Sequence, residues 1–262
     1  MKTNYHTHTT RCLHATGSDE SYVLSAIKGG YKELGFSDHT PWKREDKFRS
    51  IMRMDVEEFP FYVKSIRGLR EKYKENISLK IGLECEYFKD KMSWLKELIQ
   101  EYQLDYVIFG NHFYGDEKND FFFDESTLDK HAVDLYVRSA IEGMETGLYA
   151  YLAHPELFTR SYLKQDDACI GAFRSLCRAA KQMSVPIEYN LAGCIYNEKY
   201  HAASYPHPKF WEIAAQEGCT AIIGVDAHNN LHLETDKYYL AAQKQLSRLG
   251  IATIDTIPFF TY

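Results

Sequence analysis

Ala221-Ile222-Ile223-Gly224-Val225 is a nearly unbroken apolar run that ends on Asp226-Ala227-His228. A strand wet on one face alternates apolar with polar residues, whereas a strand apolar throughout is covered on both faces, as in a parallel sheet. Tyr106-Val107-Ile108-Phe109 repeats the pattern and runs into Gly110-Asn111-His112. Buried strands that stop on residues able to bind a metal or move a proton are the motif from which the rest of the chain is read.

Outward from these runs, further strands are expected at 34–39, 77–81, 105–110, 148–153, 185–190 and 220–226, with Ile251 to Ile257 as one more. Amphipathic stretches separate them. A helix over 19–29 has Ser18 as N-cap and Gly29-Gly30 as its end; the stretch 55–75 carries Val56, Phe59, Val63, Ile66 and Leu69 at helical spacing, with Pro60 near its start. Met92, Leu95, Leu98 and Ile99 mark a helix over 91–102 that Asp90 would cap, and others are expected near 128–145, 166–182, 208–217 and 236–248. Seven or eight β/α units in 262 residues point to one closed or nearly closed β/α barrel spanning 1–262, with an open doubly wound sheet as the alternative.

Both architectures put function at the C-terminal ends of the strands. His6 and His8 end the first strand, where alternation places them on one face. Asp38-His39 ends the second, Glu84 the third, Asn111-His112 the fourth, His154 the fifth, Glu188 and Asn190 the sixth, and Asp226-Ala227-His228 the seventh. With His14 just beyond the first, most of the eleven histidines fall at such ends; His131 falls in a helix, and His201, His207 and His232 in loop-like stretches.

Composition excludes several classes. A net charge of −6 with no basic tract threaded by aromatics disfavours a protein that grips nucleic acid. No run of about 18 apolar residues or signal-peptide pattern occurs, so a cytoplasmic protein without a membrane partner is expected. The six cysteines contain no C-x-x-C pair and read as reduced, mostly buried thiols.

His6-Thr7-His8, Ser37-Asp38-His39, Gly82-Leu83-Glu84, Gly110-Asn111-His112, Ala153-His154-Pro155-Glu156 and Val225-Asp226-Ala227-His228 together resemble, in order, the motifs of the PHP (polymerase and histidinol phosphatase) superfamily. The resemblance implies a distorted seven-stranded β/α barrel, TIM-like, with up to three divalent metals. It implies that His6, His8, Glu84 and Asp226 hold the first metal, that Glu84 bridges to a second shared with His112 and His154, and that His14, His39 and His228 take a third. Within the superfamily, Cys12-Leu13-His14-Ala15, Asp38-His39-Thr40-Pro41-Trp42, Gly82-Leu83-Glu84-Cys85-Glu86-Tyr87 and Glu188-Tyr189-Asn190-Leu191-Ala192-Gly193 look like the stand-alone histidinol-phosphate phosphatases, with no polymerase-like region attached. The implied reaction is hydrolysis of L-histidinol phosphate, a small phosphate ester.

The side-chain chemistry agrees with that expectation. Mixed imidazole and carboxylate donors suit zinc, iron or manganese better than calcium or magnesium. Two such ions can supply a bridging hydroxide near neutrality and clamp an in-line displacement at phosphorus, with Glu84, Asp226 and His8 at the catalytic centre. Arg160, Asn190, Lys43 and Trp42 are the substrate-binding candidates, Arg160 through a planar pair of donors. Glu188 is expected to orient a ligand histidine, and Asp38 to be structural. The alternatives are a PHP phosphoesterase acting on other phosphomonoesters or on nucleotide and oligonucleotide phosphodiesters, and a non-catalytic metal-binding module.

Overall fold

Parallel pairing of successive strands in chain order makes the fold. The computed structural model describes residues 1–46, 48–118, 122–123 and 128–262. Its strands are β1 (Thr3–Asn4), β2 (Glu33–His39), β3 (Ser78–Cys85), β4 (Tyr106–Gly110), β5 (Leu152–Ala153), β6 (Ile187–Asn190), β7 (Thr220–Gly224) and β8 (Ala252–Ile254), in the sheet order β1 to β8. Every pairing is parallel.

The helices are α1 (Asp19–Lys28), α2 (Phe59–Tyr73), α3 (Met92–Glu101), α4 (Lys130–Glu145), α5 (Asp167–Met183), α6 (Leu191–Tyr200), α7 (Pro208–Glu217) and α8 (Lys237–Leu249). Most follow from local signals. The Ser18 hydroxyl accepts from Ser21 N at 3.2 Å, and Asp166 caps α5 by accepting from Ala168 N and Cys169 N. Pro60 lies in the first turn of α2, where its missing N–H costs nothing.

The ring closes unevenly. At the N-terminal end β8 continues the sheet beyond β7 through Thr220↔Ala252 and Ile222↔Ile254, and Met1 N reaches Asp255 at 2.6 Å. At the C-terminal end the chain beyond β1 meets the chain beyond β7 directly, through Thr7↔Ala227, with His8 N donating to Ala227 O at 3.1 Å. Between them the Asn4 side chain replaces the missing ladder, accepting from Val225 N at 2.8 Å and donating to His6 O at 3.0 Å. The result is the expected distorted TIM-like barrel, with strands one to seven meeting at the rim and β8 filling the gap below.

Three local expectations change. Asp90 does not cap α3: it sits inside a short 3₁₀ turn, Lys89–Lys91, and Lys91 takes the cap position. The strand expected over 148–153 keeps only Leu152–Ala153. Helix α6 was not expected, because Leu191–Tyr200 has no apolar stripe; it starts because the Asn190 side chain accepts from Gly193 N at 2.8 Å.

Candidate metal centre

The strand ends deliver their side chains to one place. Register puts His39 opposite Glu84 across β2 and β3. Glu84 is the hub: its Oε1 lies 2.8 Å from His154 Nε2, 3.3 Å from His112 Nε2 and 3.4 Å from His6 Nε2, and its Oε2 lies 3.0 Å from His39 Nδ1 and 3.5 Å from His8 Nε2. Asp226 Oδ1 is a second hub, 3.3 Å from His8 Nε2, 3.4 Å from His6 Nε2 and 3.3 Å from His228 Nδ1. The His8 and His228 rings stack at 4.0 Å, and His14 stacks on His228 at 4.6 Å.

Two backbone features make room and direction. His154 (φ 29°) and Asp226 (φ 53°) adopt left-handed conformations just past their strands. Such a conformation costs a non-glycine residue on the order of 1–3 kcal/mol and recurs where a side chain must be re-aimed. Gly110 and Gly224 clear the floor: a Cβ at Gly110 would fall 2.3 Å from Glu84 Oε1, and one at Gly224 would fall 1.8 Å from Glu188 Oε1.

Buried polar atoms normally find partners, yet here His6 Nε2, both ring nitrogens of His8, His39 Nδ1, Glu84 Oε2, Asp226 Oδ1 and His228 Nε2 have none. Apart from His8 Nδ1, which faces Asp38, they are the donor atoms a cation would take. Within ligand range of one another lie His6, His8 and Asp226; His6, Glu84 and His154; and His8, His39 and His228. The donor set fits divalent transition metals. Cys12, read from sequence only as a buried thiol, also falls within that range of His14 and His228.

Charge tells the same story. Burial would push Glu84 up, but the imidazoles of His112, His6 and His39 outweigh it and hold the carboxylate well below its usual range. Asp226 is likewise held down against burial by His6, His228 and His8. Burial would lower His112, but Glu84 and Glu86 raise it to about 10. Burial together with His228 and His8 takes His14 down to about 4, and burial together with His8 takes His39 well below its normal value. Protons shared among acids and imidazoles stand in for positive charge, so a metal would displace them.

A ring of acids stands behind the histidines. His6 Nδ1–H donates to Glu188 Oε1 at 2.8 Å, and Asp38 Oδ1 lies 3.5 Å from His8 Nδ1 while accepting from His39 N, its Oδ2 accepting from Thr9 N. His112 Nδ1–H donates to Glu86 Oε1 at 3.1 Å. Glu86 in turn takes a two-pronged contact from Arg53 at 2.8 and 3.0 Å. Sequence reasoning missed Glu86 and Arg53. Alternation from Glu84 could have flagged Glu86, whereas nothing marks Arg53, which lies in irregular chain. Glu156, also missed, ties the loop after β5 to α7 by accepting from His207 N and Trp211 Nε1, and burial pushes its carboxyl up to about 8.

The substrate-binding candidates divide. Arg160 lies over the rings of Tyr196 (4.5 Å) and Tyr205 (5.9 Å), and Tyr205 stands edge-on to His154. Asn190 Nδ2 donates to Glu188 and Asp226 while its Oδ1 caps α6, so its polar atoms hold the site together. Trp42 is turned into the wall, donating to Glu86 Oε2 at 2.7 Å and packing on Phe88 and Trp94. Lys43 is exposed on a groove of about 650 Å³ that Trp42 also lines. Among the described residues no helix is long and apolar enough to cross a membrane.

A family model described as "PHP domain" matches residues 4–192. The probable histidinol-phosphatase of Deinococcus radiodurans is 28% identical over 229 residues, 85% of each chain. The histidinol-phosphatase of Bacillus subtilis is 24% identical over 254 residues, 87% of this chain and 94% of that one. The crystal structure of histidinol phosphate phosphatase from Lactococcus lactis, complexed with zinc, L-histidinol and phosphate, matches with a TM-score of 0.74 at 19% identity and covers 99% of both chains, a likeness of fold. With the family match running from the first strand through the sixth, the chain belongs to the PHP domain family.

Proposed function

We propose that this protein is a metal-dependent phosphomonoesterase that hydrolyses L-histidinol phosphate to L-histidinol and phosphate, with two to three divalent transition ions (zinc, iron or manganese) as cofactors. The observation that carries the reading is the set of buried, unpartnered donor atoms gathered around Glu84 and Asp226 at the strand ends. Relatives aligned over most of the chain bear the name of that reaction. The proposal places the enzyme in the cytoplasm, acting on a small phosphate ester.

His6, His8, Glu84 and Asp226 would hold one ion, Glu84, His112 and His154 a second, and His14, His39 and His228 a third. Bound there, the ions would make water acidic enough to attack near neutrality and would neutralise the phosphate dianion. The chain's own residues do the rest. Glu188 fixes the His6 ring through its far nitrogen, and Asn190 keeps one Asp226 oxygen directed away from the imidazoles. Arg160, stacked on tyrosines beside His154, offers a planar pair of donors to phosphate oxygens.

Phosphate release across a panel of phosphomonoesters and short oligonucleotides, after reconstitution with zinc or manganese, tests the reading. Histidinol phosphate should be turned over fastest, and His8→Ala should abolish release with the fold retained by circular dichroism. Equal rates on every phosphomonoester, or faster oligonucleotide cleavage, would overturn the substrate assignment. Wild-type rates in His8→Ala would overturn the site.

A further inference from the structure

The acids behind the ligand histidines are not equivalent. Behind His6, Glu188 meets only neutral donors besides that ring among the described residues: Asn190 Nδ2 at 2.8 Å and His154 N at 3.0 Å. Behind His112, Glu86 is fully buried and shares with Glu117 a guanidinium, itself 3% exposed, that lies 2.8 Å from each carboxylate and also reaches Thr40 O at 2.9 Å. Among the described residues no acid stands behind His154, whose Nδ1 is buried without a hydrogen-bond partner.

An acid hydrogen-bonded to the outer nitrogen of a ligand histidine fixes the ring and raises its basicity, and loss of such a partner typically weakens metal binding about 10- to 100-fold. A carboxylate already paired with arginine raises basicity less than one that meets only neutral donors, so a larger part of its contribution is orientation. We propose that the centre is built from subsites of unequal strength, a tight one at His6, His8 and Asp226 and a weak, exchangeable one at His112 and His154, and that Arg53 and Glu86 are positioning residues for the weak subsite. The inference rests on the metal-centre reading of the cluster but not on the identity of the substrate.

Arg53 also joins this subsite to the outside. Its guanidinium forms the inner wall of the 650 Å³ groove lined by Trp42, Lys43, Trp94 and Glu117. A contact that moves Glu117 therefore acts on His112 through two buried salt bridges.

The test is a metal titration of chelator-stripped protein with zinc, read by bound metal after rapid gel filtration and by calorimetry. Wild type should show a tight class retained through filtration and a second class at least tenfold weaker. Arg53→Lys keeps the charge and loses the fork; it should weaken only the second class, by about tenfold. Glu86→Gln, the second variant, should do the same even if Arg53→Lys is poorly folded, and Glu188→Gln should weaken only the tight class. A single class of sites in wild type, or parallel weakening of both classes in Arg53→Lys and Glu86→Gln, overturns the proposal. Because bound metal is read without turnover, a protein that shows the two classes yet releases no phosphate from histidinol phosphate would sink the substrate reading and leave this one standing.

Discussion

The two ends of the barrel bury polar groups in opposite ways. Below, Tyr106 Oη donates to Tyr5 O at 2.8 Å and Phe36 O at 3.1 Å, Tyr5 Oη donates to Glu33, and Ser78 Oγ closes the cluster on the same carboxylate at 2.8 Å. Above, imidazoles and carboxylates are as deeply buried, but many of their inward atoms, among them His6 Nε2, His8 Nε2, Glu84 Oε2 and Asp226 Oδ1, have no hydrogen-bond partner. Burying an unpaired polar group costs about 1–3 kcal/mol, more if charged, so the lower cluster serves folding and the upper one is held for a ligand. Tyr151, whose hydroxyl is buried without a hydrogen-bond partner, is held well above the usual phenol range by burial first and by the negative charge of Glu188 and the other carboxylates above second.

The comparison breaks most decisively on metal removal. Chelation should abolish phosphate release and also destabilise the fold, because a ligand bound at 100 times its Kd adds about 2.7 kcal/mol per site. For a chain of this size that corresponds to a fall of about 5–10 °C in melting temperature per site, read by differential scanning calorimetry before and after stripping. An unchanged melting temperature would mean that the upper cluster is satisfied by protons alone. Glu84→Ala should bring activity to the same floor, since one carboxylate faces all of His6, His8, His39, His112 and His154.

Gly110→Ala sharpens the contrast with a single methyl group. The added Cβ meets Glu84 Oε1 and His112 Cε1, at 2.3 and 2.5 Å, so either the carboxylate or the ring must move. Bound metal should fall and kcat drop by about two orders of magnitude, in line with the roughly 100-fold penalty for ångström-scale misplacement. Full metal content with normal kcat would show that the hub tolerates displacement.

What the sequence disclosed follows the same division. Strand ends were legible because β-strand alternation and apolar runs are local, and the proposed ligands at 6, 8, 39, 84, 112, 154, 226 and 228 sit where those runs stop. Ser18 announced α1 in the same local way. Helix α6 was hidden because its ten residues carry no stripe and its start depends on Asn190, whose side chain is shared with the metal centre. Arg53 and Glu86 meet across 33 residues, and no periodicity records such a contact. Trp42 read as a substrate residue because it follows His39 in a loop; the buried carboxylate of Glu86 draws its N–H into the wall instead.

Arg160→Ala probes the mouth of the site rather than its floor. Removing the guanidinium from over the rings of Tyr196 and Tyr205 should raise KM about tenfold or more with a smaller change in kcat, since a charge-assisted contact to phosphate contributes about 1.5–3 kcal/mol. Steady-state kinetics at saturating zinc separates the two constants. A fall confined to kcat would place Arg160 in the chemical step instead.

Tyr106→Phe is the converse experiment at the other end, and the smallest in effect. It deletes one hydroxyl whose two acceptors, Tyr5 O and Phe36 O, lie on strand-forming segments directly below His6 and Asp38. Leaving those carbonyls short of a donor should cost about 1–3 kcal/mol, visible as a lower urea midpoint with an unchanged slope. Metal content and kcat per folded molecule should stay at the wild-type level, because the ring still fills the space against Gly35 and Gly82 and the hydroxyl's acceptors at 2.8 and 3.1 Å are backbone carbonyls. If activity fell in step with stability, the lower cluster would be setting the angle at which the first two strands present His6, His8 and His39, and the two ends would no longer be separable into folding and ligand binding.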